Sequence, residues 1–264
     1  MQNKLWATVF VGIFLPLFFS AIVTAQGVVG NNSAIDHSIW QRILDRHMLP
    51  VEGRTRYVID YQGFTENSRS ELEAYIQYLS KQQYWFYPDA EQQAYWVNLY
   101  NALTVRLISD FYPIVSVDQM QFRSGSYLDL PLTVVHGVEL SLRDIEHLVA
   151  SSFRSSPTLH FAMSCGTNSC PGLAPDAYLG QTLQTSIENQ MQRYLSDALN
   201  VRFEGNQLIV PKSVERYQSI HLEDTKSLLR RVAYYASSST ALRVLGYDGD
   251  IAYWEDSQIS VPNR

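Results

Sequence analysis

Both cysteines of this 264-residue chain fall in one stretch, Thr158-Leu-His-Phe-Ala-Met-Ser-Cys-Gly-Thr-Asn-Ser-Cys-Pro-Gly-Leu173, which limits the fold more than any other. Leu159, Phe161 and Met163 alternate with His160, Ala162 and Ser164, the period of a strand with two unlike faces. Gly166, Thr167, Asn168 and Ser169 then make a polar turn, where a positive φ or a local side-chain hydrogen bond is easily accommodated. Cys170-Pro171-Gly172 closes the loop before a long helical pattern. Strand, polar loop and helix together present reactive groups on a rigid frame.

The N-terminus sets the expected compartment. Met1 to Lys4 is short and basic, Leu5 to Val23 is apolar and uncharged, and Val23-Thr-Ala25 offers small residues at a cleavage position. These parts make a secretory signal peptide over residues 1–25, with Gln26 as the new N-terminus. The alternative is a retained anchor, since the run is just long enough to span a bilayer. Pro16 and the small-residue exit favour cleavage. No second run approaches that length, so the mature chain is expected to be exported to a periplasmic or extracellular space without spanning a membrane. Net charge is −6, with no Lys/Arg stripe, which argues against a nucleic-acid partner. In an oxidising compartment, two cysteines are candidates for a disulfide.

Residues 26–35 read as a spacer and residues 36–264 as a single domain without repeats or linkers. Ile39, Trp40, Ile43 and Leu44 fall at helical spacing, and Arg56 to Tyr61 reads as a strand. Asn67 or Ser68 can cap a helix striped by Leu72, Tyr75, Ile76 and Leu79. Tyr84 to Pro88 is an aromatic connection expected to be buried. Asp89 and Gln92 form a capping-box pattern before a helix whose apolar face is Trp96, Leu99, Tyr100, Leu103 and Leu107. On its flank stand Asn98 and Asn101, poor helix formers that call for either a buried amide network or a site role. Leu132 to Leu140 reads as a hairpin turning at His136-Gly137, and Ser141 caps the helix that follows, with Asp144 as its third residue. Pro175 is expected to start a helix striped by Leu179, Leu183, Ile187, Met191 and Leu195. A hairpin over Val201 to Val210, helices over Thr225 to Ala236 and Thr240 to Leu245, and a short C-terminal strand before a loose end complete the chain. The fold class is α+β, with several helices around a small, mostly antiparallel sheet.

Phosphate-loop, Gly-x-Ser-x-Gly, His-Glu-x-x-His and four-cysteine zinc patterns are absent, so no metal or cofactor is expected. That leaves the thiols. A nucleophilic Cys165 or Cys170 needs an imidazole or a helix N-terminus to lower its pKa, and amide donors for a developing oxyanion. His160 is the first candidate base. On a continuous strand it would face away from Cys165, so His136, His147 or His221 could serve instead. Asn98 or Asn101 could orient the imidazole. The competing reading is a Cys165–Cys170 disulfide, with a redox-active dithiol third because four residues intervene where oxidoreductases usually have two.

Ala94-Tyr-Trp-Val-Asn-Leu-Tyr-Asn-Ala-Leu-Thr-Val105, Leu140-Ser-Leu-Arg-Asp-Ile-Glu-His147 and His160-Phe-Ala-Met-Ser-Cys-Gly-Thr-Asn-Ser-Cys-Pro171 resemble, in that order, three signatures of the domain-of-unknown-function 547 family (DUF547). The resemblance spans about residues 36–255. It departs at Tyr217-Gln-Ser-Ile-His221, where the family often has Tyr-x-x-Asp-Phe, and at Tyr253-Trp254. It implies a papain-like or transglutaminase-like α+β fold, although the order of amides, histidine and cysteines is not papain's. The expected function is a thiol-dependent hydrolase or acyl transferase acting on amide or thioester bonds of a small peptide-like substrate. The alternative is a non-catalytic binding or accessory domain with a structural disulfide and a protein partner.

Overall fold

Sixteen of the 23 residues of the long helix Asp89–Phe111 are buried, and they lie on every side of it. A helix apolar all round sits at the centre of a core rather than on its surface. In the computed structural model, which describes residues 34–120 and 125–262, this helix (α3) is the axis of the protein. The signal segment and nearly all of the spacer lie outside the described residues. The remainder forms one compact unit of the α+β class.

Helices α1 (Ser38–His47) and α2 (Glu66–Ser80) stack in turn beside α3, and α4 (Leu142–Ser152) packs against it as well. The cap of α2 is Thr65, whose side chain accepts from the Ser68 amide, in place of the expected Asn67 or Ser68. The proposed box at Asp89 does not form. Pro88 takes the cap position, and Gln92 turns back to donate to the Tyr87 carbonyl at 2.8 Å. The box at Ser141 does form, with Asp144 returning the bond to the Ser141 amide.

Among the described residues, three small sheets stand in place of the single one expected. β1 (Met48–Pro50) pairs with β2 (Tyr57–Ile59), and β3 (Thr133–Val135) with β4 (Val138–Leu140), both antiparallel. The β3–β4 turn has His136 at φ 50° and Gly137 at φ 83°, the left-handed pair that a tight hairpin demands. β5 (Arg202–Glu204) runs antiparallel to β6 (Gln207–Pro211), which pairs in parallel with β7 (Ala252–Trp254). Helices α5 (Leu183–Leu195), α6 (Lys212–His221), α7 (Thr225–Tyr235) and α8 (Ser238–Leu245) complete the chain. Among the described residues, no helix is long and apolar enough to cross a membrane.

The aromatic connection is more exposed than its composition suggests. Its short 3-10 turn directs Tyr84 onto Tyr95 and Trp96, which leaves Trp85 45% and Phe86 76% exposed. The C-terminal end is not loose. Ile259 is buried and bridges Thr167, and the Ser260 amide donates to the Gly166 carbonyl at 3.0 Å. The tail therefore braces the cysteine loop.

Candidate functional site

The segment leading to Cys165 is not a strand. Pro157–Ala162 is a 3-10 helix, and every residue from Leu159 to Cys165 is buried. A segment enclosed on all sides has no solvent face, so alternation along it carries no period-2 information. Its extended continuation is instead paired by one side chain. Asn101 Nδ2 donates to the Ala162 carbonyl at 3.0 Å, and its Oδ1 accepts from the Ser164 amide at 2.8 Å. A primary amide has the donor and acceptor of a peptide unit, and here it stands in for a neighbouring strand.

Asn98 does the same one turn earlier. It donates to the Tyr178 carbonyl at 2.7 Å and accepts from the Tyr178 amide at 3.0 Å. That contact belongs to a wider departure from the expected helix at Pro175. The amides of Ala177 and Gly180 are taken by Gln41 and Glu91. With its backbone engaged by distant side chains, the segment stays extended and α5 begins only at Leu183. Leu179, expected in the helix stripe, is 44% exposed. Both candidate orienting asparagines are thus saturated by backbone, and neither bonds an imidazole.

Cys165 and Cys170 are joined in a disulfide with a Cα–Cα separation of 5.7 Å, and both are 3% exposed. The loop between them is held from several directions. Tyr127 donates to the Cys165 carbonyl at 3.1 Å, Tyr194 to the Ser169 carbonyl at 2.7 Å, and Asn168 to the Asp256 carboxylate at 3.0 Å. Arg56 reaches in from the start of β2, donating to the Asn168 carbonyl at 3.0 Å and to Ser260 Oγ at 2.6 Å. Burial lowers the Arg56 pKa to about 10, yet the side chain remains a cation at neutral pH.

Gly166 turns the chain at φ +83° against α3, where an added Cβ would lie 2.2 Å from Ile108 Cδ1 and 3.1 Å from Thr104 Cγ2. Gly166→Ala is expected to cost about 2 kcal/mol, from left-handed backbone strain plus displacement of Ile108. The urea midpoint should fall accordingly. An unchanged midpoint would mean that the loop turns without needing glycine.

The disulfide lines a groove of about 820 Å³, whose other walls include Tyr127, Thr167, Lys212, Ser213 and Arg216. Arg216, on α6, places Nη2 3.7 Å from Cys170 Sγ and Nε 3.8 Å from the carboxylate of buried Glu146. Tyr100 donates to the other Glu146 oxygen at 2.8 Å. Burial alone would lower the Arg216 pKa, but Glu146 and the nearby tyrosines outweigh it and raise it.

None of the described histidines lines this groove. His160 is enclosed between Phe161, Tyr217 and His221. Burial first, then Arg216 and His221, lowers its pKa to about 3. His136 sits on the exposed hairpin, bonded to the Gln82 carbonyl at 2.8 Å. His147 and His221 line a separate groove of about 590 Å³. Among the described residues, no cluster of His, Cys, Asp or Glu could hold a metal ion.

The sequence reading missed Arg216, Tyr127, Arg56 and Glu146. For Arg216 a signal existed. Val214, Tyr217 and Ile220 recur every three residues after Pro211, the spacing of a helix that would carry Arg216. Arg56 and Tyr127 act through contacts more than 35 residues away in sequence, and nothing local marks them.

A helix-centred α+β core that presents a disulfide loop on a groove defines the class of domain. Residues 86–195 match the sequence model of the family described as protein of unknown function, DUF547, which supports the resemblance carried by the three motifs. The match covers α3, the cysteine loop and α5 and stops before Arg216. No curated protein and no solved structure matches the chain.

Proposed function

We propose that this is an exported accessory domain that holds a peptide-like segment of a partner in the groove beside its disulfide. The observation that carries this reading is the employment of the five candidate catalytic residues. Cys165 and Cys170 are bonded to each other, Asn98 and Asn101 are spent on backbone, and His160 is enclosed away from the groove. The walls supply hydroxyls from Ser213, Ser219, Ser257 and Tyr127 and charges of both signs, a lining that suits a peptide backbone more than an apolar ligand. The competing thiol hydrolase or acyl transferase needs an open bond. One feature favours it, the Arg216 guanidinium beside Cys170, which would stabilise a thiolate there.

Two measurements test the proposal. Oxidised and reduced protein are assayed on peptide anilides and thioesters, and no turnover is expected from either. Turnover abolished by Cys165→Ser or Cys170→Ser would replace the accessory reading with the enzyme. Binding is then read on an array of random peptides with wild type and Ser219→Trp, which fills the exposed rim of the groove. Wild type should retain a subset of peptides that the variant loses, and equal retention would place the binding surface elsewhere. As a structural closure, the bond should contribute about 2 kcal/mol in the chain-entropy model for so short a loop. The Cys165→Ser/Cys170→Ser double variant should lose that much by urea denaturation while staying folded.

A further inference from the structure

The two sulfurs of the disulfide stand in unequal surroundings. Cys170 Sγ has the Arg216 guanidinium at 3.7 Å, whereas the contact of Cys165 Sγ is the Thr167 hydroxyl at 3.5 Å. In thiol–disulfide exchange the incoming thiolate attacks one sulfur and the other departs as a thiolate, faster when that thiolate is better stabilised. A cation beside a sulfur supplies this stabilisation. Cys170 is therefore the favoured leaving group, and Cys165 the sulfur to be attacked. Both line the groove, so a small thiol has a route to them.

We propose that Cys165–Cys170 is an exchange site for a small peptide thiol admitted through this groove. The thiolate sulfur of the incoming molecule bonds to Cys165 Sγ, the Cys165–Cys170 bond breaks, and its electron pair stays on Cys170 beside Arg216. A second thiol molecule then attacks the mixed disulfide at the ligand sulfur, forming the oxidised ligand and releasing the Cys165 thiolate, which takes a proton. Overall, two thiols are oxidised to one disulfide and the protein disulfide takes up their two electrons. One of their two protons ends on Cys165 and the other passes to solvent, Cys170 remaining a thiolate beside Arg216. The lining carries Arg143, Lys212 and Arg216 beside Asp118, Glu215, Glu255 and Asp256, so a peptide carrying both charges finds an opposite charge for each.

The frame is built to survive the opening. Tyr127, Tyr194 and Arg56 grip the backbone of the loop through bonds that do not involve sulfur. The inference uses the groove of the proposed peptide site but does not require that a partner occupy it.

The test uses glutathione on the purified, folded protein at neutral pH, with acid quenching and peptide mapping by mass spectrometry. The glutathione adduct is expected mainly on Cys165. Arg216→Met should slow opening roughly fivefold by removing the leaving-group stabilisation, and Arg216→Lys should recover most of the rate. An adduct mainly on Cys170, a bond that stays closed until urea unfolds the protein, or Arg216→Met reacting at the wild-type rate would each overturn the proposal. If Arg216→Met does not fold, the position of the adduct on wild type decides alone. An unreactive bond would leave the peptide-array result standing, so the two proposals fail separately.

Discussion

Asn101→Ala is expected to remove about 4 kcal/mol of stability, a large fraction of what a domain of this kind possesses. The side chain is 2% exposed and makes two hydrogen bonds, to the Ala162 carbonyl and from the Ser164 amide. Truncation leaves both of those backbone groups buried without a partner, at roughly 1–3 kcal/mol each, and opens a small void beside α3. Asn101→Asp is a sharper probe. It keeps the shape and the acceptor for Ser164 but replaces the donor to Ala162 with an oxygen facing an oxygen, so it should be at least as damaging as alanine. Urea unfolding of both variants checks this. A wild-type midpoint for Asn101→Ala would mean that the amide does not hold the segment, and would return Asn101 to the list of site residues. Asn98→Ala should behave similarly, since Tyr178 loses both of its backbone partners.

These two asparagines also mark where the sequence was legible and where it was not. Local rules worked wherever an element satisfied its own backbone. The His136-Gly137 turn, the Ser141–Asp144 box and the stripe of α2 all follow from neighbouring residues, and all three formed. Local rules failed where a side chain from far along the chain took over the backbone. Asn101 reaches 61 residues to Ala162, and Asn98 reaches 80 to Tyr178. The first turned an apparent strand into a 3-10 helix with an extended continuation, and the second kept an apparent helix extended. The anomaly of two asparagines on the flank of a strong helix was visible in the sequence, but their partners were not. The cysteine pair was legible as a disulfide candidate from its spacing and expected compartment. Its proximity to Arg216 was hidden, because α6 arrives from 46 residues away.

Stability is expected to fall by about 5 kcal/mol between pH 7 and pH 4, and two buried histidines account for the direction. His160 and His37 are 4% and 3% exposed. Burial lowers the His160 pKa to about 3, aided by Arg216 and His221, and burial lowers that of His37 to about 4 against a weak opposing pull from Asp36. In the unfolded chain both rings titrate near 6.5. Below that value the unfolded state binds protons that the folded state refuses, so stability is full above pH 6.5 and is lost progressively as pH falls toward the folded pKa of each ring. His37 stops contributing to the slope near pH 4, and His160 continues to about pH 3. The conservative partner test uses His160→Gln, which cannot titrate. It should lower stability at pH 7, where the ring's packing against Phe161 and Tyr217 is disturbed, but roughly halve the loss between pH 7 and pH 4. The measurement is the urea midpoint at pH 7, 5.5 and 4 for both proteins. Equal slopes would mean that His160 is not a buried neutral imidazole, and a flat wild-type profile would remove both histidines from the account. An enzyme using His160 as a general base near neutrality would need the opposite arrangement, a ring that accepts a proton at working pH. The same burial that makes the fold acid-sensitive therefore opposes a proton-transfer role for His160.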